Sequence, residues 1–358
     1  MTTFNNILEQ ANKIVNYRSE EADRNYGPFN ESMERTAKLA SLMTNKEITT
    51  IDCFQVLNAL KLSRQAYCHK EDNLLDLVAY VGGMNNYINQ QPIKRKIDNN
   101  IKFKVIKDIM EKGDEICVRG QKTKELMNYS FTINPYDRFF SFEGRKMSLK
   151  YIKEELKWYL RADKYDLSIC EHAKMWKSLI NKDGSLNSNY GAILFNGNFM
   201  RCAETLVKDK FSRRAILMIC NNETLNTESK DYHCTLSLSF SIRKDKLNCT
   251  GVMRSNDAIF GITNDIPFFT FVQELMYVYL RDTAYPELKM GEYTHFVNSI
   301  HIYEHHYKMA NTILENAYEH PIECPKIKNK EEVLFLLNKE KDINNINEEY
   351  NFSKWLYN

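Results

Sequence analysis

The sequence predicts a small all-α unit followed by a larger domain that mixes strands and helices, an α+β arrangement. Residues 1–90 place apolar side chains at helical spacing and contain no period-two run. From 233 to 265 the pattern changes. Leu236, Leu238, Phe240 and Ile242 alternate with Thr235, Ser237, Ser239 and Ser241, as in a half-buried strand. Arg243-Lys244-Asp245-Lys246 then turns the chain into a returning partner from Leu247. Between the two regions, 90–100 is polar and holds Pro92, a linker-like composition. The expected divisions are 1–90 helical, 91–104 linker, 105–320 the larger domain and 321–358 a C-terminal tail.

Phe4, Ile7, Leu8, Ala11, Ile14 and Val15 form one helical stripe over 3–16. The turn Asn25-Tyr26-Gly27-Pro28 interrupts it, and a second helix follows over 29–43. Thr50 is placed to cap a third helix carrying Phe54, Leu57 and Leu60, and 73–89 reads as a fourth. In the larger domain Ser148 caps a helix whose buried stripe is Leu149, Ile152, Leu156 and Leu160. Ala215–Cys220 reads as a strand, and 268–280 is apolar on nearly all faces, as a central buried helix is.

The chain's 358 residues suffice for two domains with a sizeable core. Hydrophobic content of 43% with 27% charged residues is that of a soluble globular protein. A net charge of +2 provides no basic field for nucleic acid. No stretch reaches bilayer-spanning length, and Met1-Thr2-Thr3-Phe4 does not begin a signal-peptide layout. The 9 cysteines include no CxxC pair, which argues against a zinc ribbon or a thioredoxin-like motif and fits a reducing cytoplasm. His301, His305 and His306 lack a third-ligand pattern, so zinc is not expected there.

Several residues invite chemistry, each with a plainer alternative. Cys234 shares the parity of the apolar strand face and, taken alone, is a small core residue. Arg254 and Ser255 stand beside Asp257 at the end of the return strand. In Arg119-Gly120 the glycine lets the backbone approach an anion, although a charged surface loop reads the same way. Arg213-Arg214 side by side invite a phosphate. Glu155 sits at the edge of its helix stripe, where periodicity alone makes it a surface residue. Asp265 before Ile266-Pro267 has the chemistry of a helix N-cap. Glu31 with Glu34, and Asp72 with Asp76, can share helix faces. Facing each other across a bundle, the four would hold Mg²⁺, or else form a solvated acidic face.

The order of these residues resembles the thymidylate synthase superfamily over roughly 115–307. The resemblance implies an α+β fold with a large mixed sheet packed against helices, dimerising through that sheet. It makes Cys234 the nucleophile and Glu155, within Glu-Leu-x-Trp-x-Leu and before Arg161, a catalytic proton carrier. It places Arg119, Arg213, Arg214, Arg254 and Ser255 on the nucleotide, with the two adjacent arginines reaching across the dimer. His301 and Tyr303 would bind the sugar on a strand from Gly291. Trp176 and Asp257 would meet the folate, Tyr190-Gly191 matches the family's Tyr-Gly pair, and the terminal aromatics could fold back over the site. At the position after Gly261 that reads the pyrimidine, uracil-using synthases have asparagine and deoxycytidylate hydroxymethylases have aspartate; this sequence has Asp265. The first ninety residues resemble the all-α nucleotide pyrophosphohydrolases, with Asn73 where that family's second pair has glutamate.

The chain departs from the synthase pattern at His233-Cys234-Thr235, at Met253 and at Val297-Asn298-Ser299. What the resemblance implies is methylenetetrahydrofolate-dependent hydroxymethylation of dCMP by a homodimer, in a host cytoplasm if phage-encoded. The partners would be a pyrimidine deoxynucleoside monophosphate and folate, without nucleic acid or membrane. Thymidylate synthesis, hydroxymethylation of dUMP or CMP, and a second, Mg²⁺-dependent dCTP pyrophosphatase activity are the alternatives.

Overall fold

The computed structural model describes residues 7–16, 29–220 and 229–358. Phe4 and the expected Asn25–Pro28 turn lie outside the described residues. The chain forms two compact units, 1–96 and 97–358.

The first unit is helical: α1 (Ile7–Asn16), α2 (Phe29–Thr44), α3 (Thr50–Tyr67) and α4 (Glu71–Asn99). Thr49, not Thr50, caps α3. Its hydroxyl accepts from Asp52 N while the Asp52 carboxylate accepts from Thr49 N, a reciprocal box that fixes the helix start one residue early. α4 runs through most of the stretch expected as a linker, and Asn100 then caps α5 (Ile101–Lys112). The magnesium expectation is corrected here. The buried ammonium of Lys61 hydrogen-bonds Asp76 and lies 3.9 Å from Asp72, so a lysine stands where a cation would be needed by the second acidic pair and offsets part of its charge. Glu31 lies 4.0 Å from Arg35, and Glu34 joins no metal-holding group. Among the described residues no three His, Cys, Asp or Glu side chains gather to hold a metal.

The second unit is built on six strands: β1 (Asp114–Val118), β2 (Gln121–Ile133), β3 (Ile216–Met218), β4 (Thr235–Arg243), β5 (Lys246–Asp257) and β6 (Lys289–Tyr303). Their order is β1-β2-β6-β5-β4-β3, with β5–β6 parallel and the other pairs antiparallel. A parallel pair needs a long crossover, supplied by α9 (Gly261–Thr283). Phe268, Phe269, Phe271, Val272, Leu275 and Met276 are all buried, which explains a helix apolar on nearly every face. α6 (Leu149–Arg161), α7 (Tyr190–Leu194), α8 (Asn198–Lys208) and α10 (Tyr307–Asn316) complete this layer with shorter turns.

Two expectations change. Arg119-Gly120, expected in a surface loop, is a tight turn: Arg119 (φ 50°) and Gly120 (φ 80°) form a two-residue hairpin turn, and Gln121–Glu125 already belong to β2. Residues 321–358 are not a loose tail. They contain α11 (Lys330–Leu337) and α12 (Asn351–Tyr357), with Val333, Leu336, Phe352 and Leu356 buried. Glu332 accepts from both Ser353 N and Oγ at 2.9 Å. Trp355 and Tyr357 meet Lys153 and Lys157 of α6 at 4.8 and 5.8 Å. Those lysines point roughly 200° around the helix from Glu155. The terminal aromatics therefore pack behind α6 rather than over the face that carries the glutamate.

Candidate active site

Cys234 lies one residue before β4, where strand pairing is irregular. The β4–β5 register shifts between Thr235 and Ser237, leaving Leu236 as a bulge. The bulge resets the alternation: Thr235 is fully buried while Cys234 is only half-buried. Parity alone put Cys234 in the core; the extra residue turns it out. The Cys234 carbonyl accepts from Arg254 N at 2.9 Å. The guanidinium of Arg254 donates from Nε to His233 O at 2.8 Å and from Nη2 to Tyr232 O at 3.1 Å, and Nη2 lies 3.5 Å from Cys234 Sγ. Burial raises the thiol and the adjacent guanidinium opposes that shift.

Glu155 stands on α6, whose start is fixed by Ser148 Oγ accepting from Tyr151 N at 3.2 Å. Periodicity made it a surface residue; it is buried. Tyr151, one turn earlier, donates to Glu155 Oε1 at 2.7 Å and accepts from Trp176 Nε1 at 3.0 Å. Trp176 packs on Trp158 at 5.3 Å. Burial pushes the Glu155 carboxyl up to about 8, helped by the charge of Asp265 and opposed by the Tyr151 bond.

Asp265 is the fifth residue of α9, which starts after Phe260, so the N-cap reading is overturned. Burial pushes its carboxyl up to about 7; a hydrogen bond from Asn256 opposes this and Asp257 adds to it. Its charge is felt at Glu155, Cys234 and Tyr190, so these groups lie within electrostatic reach of it. Tyr190 packs against Tyr159 and meets His233 edge-on at 5.6 Å. Gly191 allows that packing, since a Cβ there would stand 1.8 Å from Tyr159 O.

The ends of β5 and β6 bring up the remaining groups. Asp257 is in register with His301, and Ser255 with Ser299. The Asp257 carboxylate accepts from Ile259 N at 2.9 Å, and burial raises it. The rings of His301 and Tyr303 meet edge-on at 4.9 Å, and the charge of Arg119 at the hairpin tip reaches Tyr303. Arg213 and Arg214 are not brought to this cluster. They are exposed before edge strand β3, whose Ile216 pairs with Ser239, so they stand on the order of 20 Å along the strands from Cys234. Among the described residues neither forms an ion pair.

Sequence reasoning passed over Tyr151, Asn256, Tyr293 and His295. Tyr151 was legible as the residue four before Glu155. Asn256 stood inside the Arg-Ser box, and Tyr293 and His295 are two apart on one strand, so they share a face.

Residues 102–355 match the thymidylate synthase family, and residues 6–87 match a domain of unknown function (DUF6378). The deoxycytidylate 5-hydroxymethyltransferase of Enterobacteria phage T4 is 29% identical over 213 residues, 57% of this chain and 85% of the phage protein. The thymidylate synthase of Lactococcus lactis subsp. cremoris is 26% identical over 182 residues, 48% of this chain and 63% of that protein. The deoxyuridylate hydroxymethyltransferase of Delftia phage PhiW-14 is 28% identical over 216 residues, 56% of this chain and 58% of its own length.

Proposed function

Because this chain belongs to the thymidylate synthase family, we propose that it hydroxymethylates dCMP at C5, using methylenetetrahydrofolate and water. The family transfers a one-carbon unit to a pyrimidine nucleotide, and the folate supplies that unit when bound. The residues beside Asp257 fit such a group: Arg145 Nε and His306 Nδ1 are buried without hydrogen-bond partners. Phe260 touches both side chains, at 4.4 and 4.8 Å. Polar donors against an aromatic wall suit a heterocycle with a carboxylate tail.

Cys234 adds through sulfur to C6 of the base, which makes C5 nucleophilic, and leaves C6 once C5 is substituted. Arg254 favours the thiolate form. Glu155, protonated below about pH 8, holds a proton beside the base and, once it has given it up, accepts one from the water that completes the product. Asp265 reads the base, and its identity is the observation that carries this reading. A carboxyl near pH 7 accepts from the cytosine amino group with one oxygen and donates to N3 with the other. Arg213 and Arg214, exposed and remote from Cys234, serve the nucleotide of a second subunit in a homodimer.

The test is incubation with methylenetetrahydrofolate and dCMP, CMP or dUMP, with products weighed by mass spectrometry. Hydroxymethyl-dCMP, absent with Cys234→Ser, is expected. With Asp265→Asn, preference should move towards dUMP by at least about tenfold. Methylated dUMP with dCMP untouched would instead make the chain a divergent thymidylate synthase.

A further inference from the structure

A short line of hydrogen bonds and stacked rings ends on Glu155. Tyr151 Oη donates to Glu155 Oε1 at 2.7 Å and accepts from Trp176 Nε1 at 3.0 Å. Trp176 is buried and packs on Trp158 at 5.3 Å, and Trp158 Nε1 donates to Asp166 O at 2.7 Å. Each indole thus has its one donor engaged, which holds both rings in place. The direction of the bonds at Tyr151 follows from the chemistry of the groups. An indole N–H can only donate, so the Tyr151 oxygen must accept from Trp176. The single hydrogen of the phenol is then left for Glu155. Among the described residues, Glu155 Oε2 accepts no hydrogen bond of this kind.

We propose that Tyr151, held by Trp176, is a positioning residue that confines the transferable proton of Glu155 to Oε2. This rests on the reading of Glu155 as the proton carrier. In a neutral carboxyl the carbonyl oxygen is the better acceptor, so the oxygen bonded by Tyr151 stays bare and the other carries the proton. In the carboxylate, Oε1 remains occupied by Tyr151, and Oε2 is left to take a proton from water. One oxygen therefore gives and receives, and the carboxyl need not rotate between the two steps. Burial raises the Tyr151 hydroxyl, which keeps its hydrogen throughout. Its bond favours the ionised glutamate and opposes the burial that holds the proton on. The other titratable groups within reach of Glu155 are Asp265 on α9 and Tyr159 on its own helix. Trp176 acts here through Tyr151, apart from any contact with the folate.

The experiment uses the full chain with Tyr151→Phe, which removes one hydroxyl and leaves the ring. Its kcat should fall about tenfold with little change in the KM of the nucleotide, as expected for losing a buried hydrogen bond to a charged partner. The decline of kcat/KM as pH rises through about 8 should move up by about one pH unit, because the ionised glutamate has lost its donor. Melting temperature reads the same bond without activity. Tyr151→Phe should lower it more at about pH 9, where the parent's Glu155 is ionised, than at about pH 5. That difference should vanish when Glu155→Gln is added. Trp176→Phe removes the donor that orients the phenol and should act in the same direction by less, which covers a Tyr151→Phe protein that does not fold. An equal fall in melting temperature at both pH values would overturn the proposal, as would a kcat within twofold of the parent. A pH difference that persists beside Glu155→Gln would also overturn it, since it would belong to Asp265. A Glu155→Gln protein with the parent's kcat would instead refute the proton-carrier reading, while the melts still report on the Tyr151 bond.

Discussion

Glu155 and Asp265 hold their protons near neutral pH because burial disfavours the charged forms more than their hydrogen bonds favour them. The same property links stability to pH. Glu155 binds its proton more tightly folded, at about 8, than unfolded, near the ordinary 4.5. Its stabilising protonation is therefore complete below about pH 4.5 and is lost as pH rises through about 8. Glutamine cannot ionise, so Glu155→Gln should melt close to the parent at pH 5. At pH 8.5 it should be more stable, by on the order of 3 kcal/mol. Paired thermal melts at the two pH values check this; an equal gain at both would mean that ionisation is not the cause. The cysteine shows the limit of reading residues singly. Parity assigned Cys234 to the core, and one bulged residue, Leu236, released it.

At the scale of elements, α12 differs most from its expectation. Its aromatic residues suggested a cover for the site, yet Phe352 stacks on Phe271 at 5.2 Å and Ser353 binds Glu332, behind α6. Phe352→Ala should cost about 3–5 kcal/mol of stability through the cavity it leaves. The kcat of the protein that remains folded at low temperature should be little changed. A collapse of kcat at unaltered melting temperature would place the tail's function at the site instead. The hairpin of β1 and β2 shows a related limit. Arg119-Gly120 looked like a flexible loop, while the flanking residues had enough strand character to close it into a turn. On α6 the cap at Ser148 and the burial of Ile152, Leu156 and Leu160 follow from local spacing, while tertiary contacts bury Glu155, Trp158 and Tyr159 beyond that stripe.

For the whole molecule, the arginines beside β3 matter most. Arg213 and Arg214 are exposed and stand apart from their own chain's cluster, as the proposed homodimer would require. Mixing an inactive Cys234→Ser protein with an inactive Arg213→Ala/Arg214→Ala protein should then regain activity, because one hybrid site carries both an intact cysteine and intact arginines. Continued inactivity after exchange of subunits, followed by native mass spectrometry, would reject shared sites. The helical unit is a separate body whose acidic pair is met by Lys61. Among the described residues no helix is long and apolar enough to cross a membrane.

The sequence by itself determined the helical first unit, the paired strands around 235–257, the buried central helix and the family. These rest on periodicity and on motif order, both local in the chain. Tertiary structure decided what depends on neighbours from elsewhere. It placed Lys61 against Asp72 and Asp76, seated α12 behind α6, and buried Glu155 deeply enough to hold a proton. It also joined Asn256 on β5 to His295 and Tyr293 on β6, because burial and hydrogen bonding are set by which elements meet.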